Sequence, residues 1–193
     1  MCRYLILSAA ALSLSACYLQ GSSCSGPFCF SVATDIDGTC RFDCNELFRC
    51  PDADTVRANS LSTLNLVRQS SSLAFCGGNF ALSDAGIVWN ETLFSAADRH
   101  ARDMAANNFV AEIGSDGLSI DSRVAVLDGS FSNVSQLVAG GFASSQALID
   151  EWLRQPEDCV RLLDSSVTQY AMACRFDQNT DFGTYWSLVL ATE

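Results

Sequence analysis

Apolar residues return at helical spacing in three stretches of this chain and cluster at strand spacing near its end. After Asn90, the positions Leu93, Ala96, Ala97, His100, Ala101, Met104 and Ala105 recur every three or four residues, the repeat that lines one face of a helix. Asn90, whose side-chain oxygen can take an N–H of the first turn, predicts where that helix begins. A second helix is predicted over residues 53–70, opened by Pro51-Asp52 with an acidic first turn, packing through Leu61, Leu64 and Val67 and ended by the serines at 70–72. Cys76-Gly77-Gly78 reads as a loop. A third helix spans about residues 145–154, with Ser144 as its cap and Leu148, Ile149, Trp152 and Leu153 as its buried side. Residues 167–176 and 185–192 are rich in β-branched and aromatic side chains, and residues 177–183 between them supply turn chemistry, so an antiparallel hairpin is expected. Residues 133–139 make a further strand. Helices and antiparallel strands in this order predict an α+β layered domain.

His100 is the single histidine of the chain. It lies on the small-residue stripe of its helix, with Arg99 and Arg102 facing elsewhere, so it reads as a packed, hydrogen-bonded structural group and not as a base or metal ligand.

The N-terminus adds a location. Residues 4–14 are apolar, follow Arg3 and are too short to span a bilayer as a helix, which predicts a secretory signal. Ala16 suits an ordinary signal peptidase but Leu14 does not, whereas Leu14-Ser15-Ala16-Cys17 is what a bacterial lipobox looks like. The expectation is a signal peptide over residues 1–16 and a lipid on Cys17, with plain secretion as the alternative. Residues 18–20 lack an acidic residue at the second mature position, which favours the outer membrane over the inner one.

Residues 17–50 show no sustained period and are rich in Cys, Gly, Ser, Asp and Phe, so they read as a Cys-rich extension ahead of a domain over residues 51–193. Asp35-Ile36-Asp37-Gly38-Thr39 opens like a calcium loop but lacks the remaining oxygen ligands and the closing Glu, and is read as a plain turn. Once Cys2 leaves with the signal and Cys17 takes lipid, Cys24, Cys29, Cys40, Cys44, Cys50, Cys76, Cys159 and Cys174 remain. An even set in an oxidising compartment predicts disulfides. Zinc is disfavoured, because no Cys-x-x-Cys pair occurs and the histidine is distant. The net charge is −11 and all 11 basic residues are Arg. That argues against nucleic acid as a partner, and the absence of Lys excludes Schiff-base chemistry.

Taken in order, Trp89-Asn90, His100, Asp103-Met104-Ala105, Phe109, Gly114-Ser115-Asp116-Gly117, Arg123, Ala139, Gly141, Trp152-Leu153, Pro156, Cys159 and Gly183-Thr184-Tyr185-Trp186 resemble the bacterial branch of the CAP superfamily, the SCP or cysteine-rich secretory/PR-1-like proteins. The resemblance runs from about residue 60 to the C-terminus. It implies a three-layer α-β-α sandwich around a central antiparallel sheet, with a cleft at one edge. In the family, two histidines in that cleft can hold a divalent cation with an acidic residue nearby. Here Glu112 stands where the first histidine is usual, Gln136 where a glutamate is usual, and Asp158 where the second histidine is usual. The resemblance also implies that two of Cys76, Cys159 and Cys174 pair with each other and that the third reaches the N-terminal segment, without saying which.

Several functions follow from those replacements. The site has decayed into solvated acids at a cleft rim; or Glu112 and Asp158, helped by Glu157 or Asp116, hold a hard cation such as Ca²⁺ or Mg²⁺; or the two carboxylates form an acid/base pair for hydrolysis of envelope sugars or lipids. The leading expectation is a non-enzymatic, lipid-anchored envelope protein that needs no cofactor and binds a ligand or protein partner through its cleft or loops. A structural envelope role carried by the Cys-rich segment is the remaining alternative.

Overall fold

Asp52 turns the chain into its first long helix. Its Oδ1 accepts from the Thr55 backbone N–H at 2.9 Å and its Oδ2 from the Thr55 hydroxyl, which satisfies donors that a helix start leaves open. The structure, a computed structural model, describes residues 49–69, 76, 86–128 and 130–193, together with the backbone of residues 33–34 and 40–41. The chain divides into two units, Met1–Leu47 and Phe48–Glu193. In the first, β1 (Ala33–Thr34) and β2 (Cys40–Arg41) pair antiparallel. The expected signal peptide, Cys17, Cys24, Cys29, Cys44, the Cys40 side chain and residues 35–39 lie outside the described residues.

The second unit carries α1 (Ala53–Gln69), β3 (Val88–Trp89), α2 (Glu91–Asn107), α3 (Ile120–Leu127), β4 (Ser132–Gly140), α4 (Ser145–Trp152), α5 (Pro156–Leu163), β5 (Gln169–Phe176) and β6 (Thr184–Thr192). Its sheet runs β3-β5-β6-β4. The three long strands are antiparallel, as expected, but β3 joins β5 in parallel, so the sheet is mixed. That short parallel pairing arises because Val88 and Asn90 donate to the carbonyls of Thr168 and Tyr170 on the way into α2. Two residues carry no readable alternation, so β3 was not visible in the sequence pattern.

Both faces of the sheet are covered, and the side chains of β6 alternate between them. Trp186, Leu188 and Leu190 join Leu137, Tyr170 and Met172 in a core with Val56 and Leu64 of α1, Leu148, Ile149 and Trp152 of α4, and Leu162 of α5. Val189 and Ala191 face the other way, with Ala171 and Ala173, onto Leu93, Ala96, Ala97 and Ala101 of α2 and onto Ile120 and Val124 of α3. Alanine meets alanine across this second layer, which lets α2 lie close on the sheet. The result is the α-β-α sandwich.

The long helix starts at its predicted cap: Asn90 Oδ1 accepts from the N–H groups of Thr92 and Leu93. The seven residues of the predicted stripe are the seven buried residues of α2. Ser144 caps α4 through the Ala147 N–H. α1 buries Val56, Ser60, Leu64, Val67 and Arg68, while Leu61 is only half-buried. Two disulfides tie the unit together, Cys76–Cys159 and Cys50–Cys174, each with Cα atoms 5.5 Å apart. Two of the three named cysteines do pair, and Cys174 is the one that reaches the segment before residue 51.

Candidate cleft at the edge of strand β4

β4 is the last strand of the sheet, so its outward carbonyls have no strand partner. One of them, that of Gln136, accepts from Arg161 Nη1 at 2.7 Å. The same Nη1 donates to Glu112 Oε1 at 2.5 Å. On the other side of the guanidinium, Nη2 lies 3.3 Å from Asp158 Oδ1, one helical turn back on α5. The three positions singled out from the resemblance, Glu112, Gln136 and Asp158, therefore do converge, and what joins them is Arg161.

Each member reaches the site by a separate route. Pro156 opens α5 and places Glu157 and Asp158 in its first turn, where the helix dipole favours carboxylates. Glu157 is exposed and makes no ion pair among the described residues. Burial pushes the Asp158 carboxyl up, the Arg161 charge opposes this, and the charges of Glu112 and Glu157 add to the rise. Gln136 is 1 % exposed; its Nε2 donates to Ser187 Oγ at 2.7 Å, and its Oε1 is buried without a partner among the described residues.

Glu112 rides on the loop between α2 and α3, which is built from its own polar residues. Asp103 Oδ2 accepts from the Ser115 N–H and Oδ1 from its hydroxyl. Asp116 Oδ1 takes the Leu118 N–H and the buried Arg123, and its Oδ2 lies 3.7 Å from Arg99. The Leu118 N–H, opposed by partial burial and helped by Arg123 and Arg99, holds the Asp116 carboxyl below its ordinary value. Asp116 is thus a loop anchor turned toward Arg123, not a member of the Arg161 cluster.

His100 holds the start of the same loop. It is fully buried, with Nε2 placed 2.8 Å from the Ala111 carbonyl and Nδ1 lacking a partner among the described residues. With the proton assigned to Nε2, the ring donates to Ala111, the residue next to Glu112. It is the packed structural histidine that its position on the helix predicts.

A divalent cation of the kind the family resemblance implies does not fit this donor set as it stands. The charge between the two carboxylates is already supplied by a guanidinium. Among the described residues, no group of three or more His, Cys, Asp or Glu is gathered as metal ligands. Arg161 was the residue missed by sequence reasoning. The available signal was its spacing: an arginine three residues after an acid that replaces a usual histidine.

Comparison with known proteins agrees with this architecture. Residues 81–190 match the sequence model described as CAP: Cysteine-rich secretory protein family. No curated protein matches the chain. Among solved structures, it resembles an outer surface protein of Borrelia burgdorferi (TM-score 0.60, 14 % identity, 75 % of this chain and 97 % of that one). It also resembles an extracellular SCP-domain protein of Bacillus anthracis (TM-score 0.55, 14 % identity, 75 % of this chain and 44 % of that one). A cysteine-rich secretory protein of Staphylococcus aureus is similar as well (TM-score 0.52, 14 % identity, 84 % of this chain and 54 % of that one). At these identities the structures speak for the fold alone.

Proposed function

Because this chain belongs to the CAP, or cysteine-rich secretory protein, family, we propose that it is an exported, lipid-anchored protein of a bacterial envelope whose CAP domain binds a ligand or partner without catalysis. The observation that carries the non-catalytic part is the engagement of Glu112 and Asp158 by Arg161. Both carboxylates are drawn onto one guanidinium, and the sole histidine, wholly buried beneath the Ala111 loop, is out of a substrate's reach as a base. The family's cation site is degenerate in this reading.

Export and anchoring are supported by the apolar residues 4–14 and by Leu14-Ser15-Ala16-Cys17. The outer membrane is the favoured destination. The outer surface and extracellular character stated for the Borrelia and Bacillus proteins is in keeping with it. No helix among the described residues is long and apolar enough to cross a membrane. Fractionation of cells carrying the native chain or Cys17→Ser tests this part. The native chain is expected with the outer membrane and the variant in soluble fractions; identical distribution of the two removes the lipid anchor.

A second reading, carboxylate-based hydrolysis of envelope sugars or lipids, draws on the upward push that burial gives Asp158. Turnover of glycan or lipid substrates that disappears in both Glu112→Gln and Asp158→Asn would establish it in place of the binding role.

A further inference from the structure

We infer that Arg161 is a tethered cation standing in for a metal ion in this cleft, so that the charge which orders the site is covalently part of α5. The inference rests on the reading of the cleft as non-catalytic and explains what the cleft has become.

The oxygen set around the guanidinium is the first support. Glu112 Oε1, the Gln136 carbonyl and Asp158 Oδ1 come from a loop, a strand edge and a helix, and all three face one positive group. Two carboxylates and a backbone carbonyl are what a hard cation would take. Here they are met by N–H donors, and Nη1 alone bridges two of the three. The fork of a guanidinium suits such divergent acceptors in a way an ammonium does not.

Burial of the neighbourhood is the second. The carbonyl that Arg161 caps belongs to Gln136, which is almost wholly inaccessible, and Asp158 is itself partly buried. An uncompensated pair of carboxylates there would repel, and partial burial would raise the cost. Arg161 removes the repulsion without any ion from solvent. The cation is held covalently on α5, so the order of the Glu112 loop does not depend on cation concentration or on chelators.

The consequence is a latent oxygen site that opens when Arg161 is shortened. The test uses the purified full chain with Mn²⁺ as a paramagnetic probe at the millimolar level of weak extracellular sites. In the native chain, the amide signals of Glu112, Gln136 and Asp158 are expected to broaden no more than those of other exposed acids. In Arg161→Ala, those three signals are expected to broaden selectively, to recover when Ca²⁺ is added, and to stay sharp when Glu112→Gln and Asp158→Asn are added to the variant. Selective broadening in the native chain, abolished by Glu112→Gln, would overturn the inference together with the degenerate-site reading. A folded Arg161→Ala that takes no Mn²⁺ at these residues would overturn the inference alone and leave the binding role standing. Should Arg161→Ala not fold in buffer, it is refolded with millimolar Ca²⁺ or with NaCl of equal ionic strength. Recovery of the native spectrum with Ca²⁺ only supports the stand-in, and failure with both, alongside a folded Arg161→Gln that ignores Mn²⁺, overturns it.

Discussion

Arg123 passes directly under Gly114: a Cβ built on that glycine would lie 1.8 Å from Arg123 Nη2, 2.7 Å from Asp103 Oδ2 and 2.8 Å from Asp116 Oδ1. Gly114 is therefore required for space, and its φ is not in the left-handed region. The missing side chain lets a buried guanidinium and two carboxylates meet beneath the loop that carries Glu112.

Gly114→Ala should accordingly displace Arg123 from Asp116. Overpacking of this kind costs about 1–3 kcal/mol, and loss of the Arg123–Asp116 contact comes on top of it. Urea denaturation should show a lower midpoint for the variant at an unchanged slope. Gly117→Ala is the comparison. Nothing lies within 4 Å of a Cβ there, but φ is +76°, so its cost is backbone strain of roughly 1 kcal/mol, and the Asp103–Ser115 and Asp116–Arg123 contacts stay in place.

His100 sets the pH dependence near neutrality. Burial lowers its pKa below the ordinary 6.5; the Ala111 hydrogen bond opposes this, Arg123 adds to it, and Asp103 and Asp116 oppose it. As pH falls below 6.5, the unfolded chain takes up a proton that the folded chain refuses, so stability declines, by at most about 1.4 kcal/mol per pH unit, until the lower folded value is reached. No other histidine exists to share this window. The depressed carboxylates Asp103, Asp116 and Asp164 lose their contribution only around and below 3.8. Asp158, whose pKa is raised, favours the folded chain on acidification just above 3.8. Denaturation midpoints between pH 7 and 5 should slope for the native chain and be nearly flat for His100→Gln. An equal slope in both would show that another group is responsible.

Much of this was legible in the sequence because α2 carries its signals locally. Asn90 supplies the cap, the stripe from Leu93 to Ala105 supplies the buried face, and His100 inherits its burial from that stripe. The hairpin of β5 and β6 was equally plain. Two helices, α3 and α5, were not anticipated: α3 buries only Ile120 and Val124 besides Arg123, and α5 only Cys159 and Leu162, too few apolar positions for a period to stand out. By contrast α4, of the same length, carries Leu148, Ile149 and Trp152 behind a serine cap. The cleft was half legible. Glu112, Gln136 and Asp158 were found by their place in a family pattern, but their mutual arrangement depends on Arg161, which touches residues 25 and 49 positions away. No local rule reports a contact of that separation.

Arg68 supports a different junction. It is 2 % exposed, and its Nη1 and Nη2 donate at 2.8 Å to the carbonyls of Leu162 and Val167. The first of these is among the last carbonyls of α5, which the helix itself leaves unpaired. Arg68→Ala leaves two carbonyls unsatisfied and empties the space of a long aliphatic stem; about 3 kcal/mol of stability should be lost. Arg68→Lys should recover only part of it, because one ammonium cannot reproduce a fork aimed at two acceptors. Full recovery with lysine, read from the urea midpoint, would contradict that geometry.

The disulfide between Cys76 and Cys159 should matter in proportion to the freedom it removes. It joins residues 83 apart, and in the chain-entropy account a loop of that length destabilises the unfolded chain by roughly 4.5 kcal/mol, an upper figure for bridges that usually give about 2–4 kcal/mol. Cys159, on α5, is fully buried in the core that α4 and α5 share. Replacing both cysteines with serine would place a polar group there, so the pair Cys76→Ala and Cys159→Ala is the cleaner variant. It should lower stability by about 2–4 kcal/mol while leaving the far-ultraviolet circular dichroism of the folded chain unchanged. Reducing agent should reproduce that loss and then add to it as Cys50–Cys174, which spans 124 residues, opens in turn. If the alanine pair proves as stable as the native chain, the bridge serves only to fix the segment around Cys76. Hydrogen exchange at that residue would then be the property that changes.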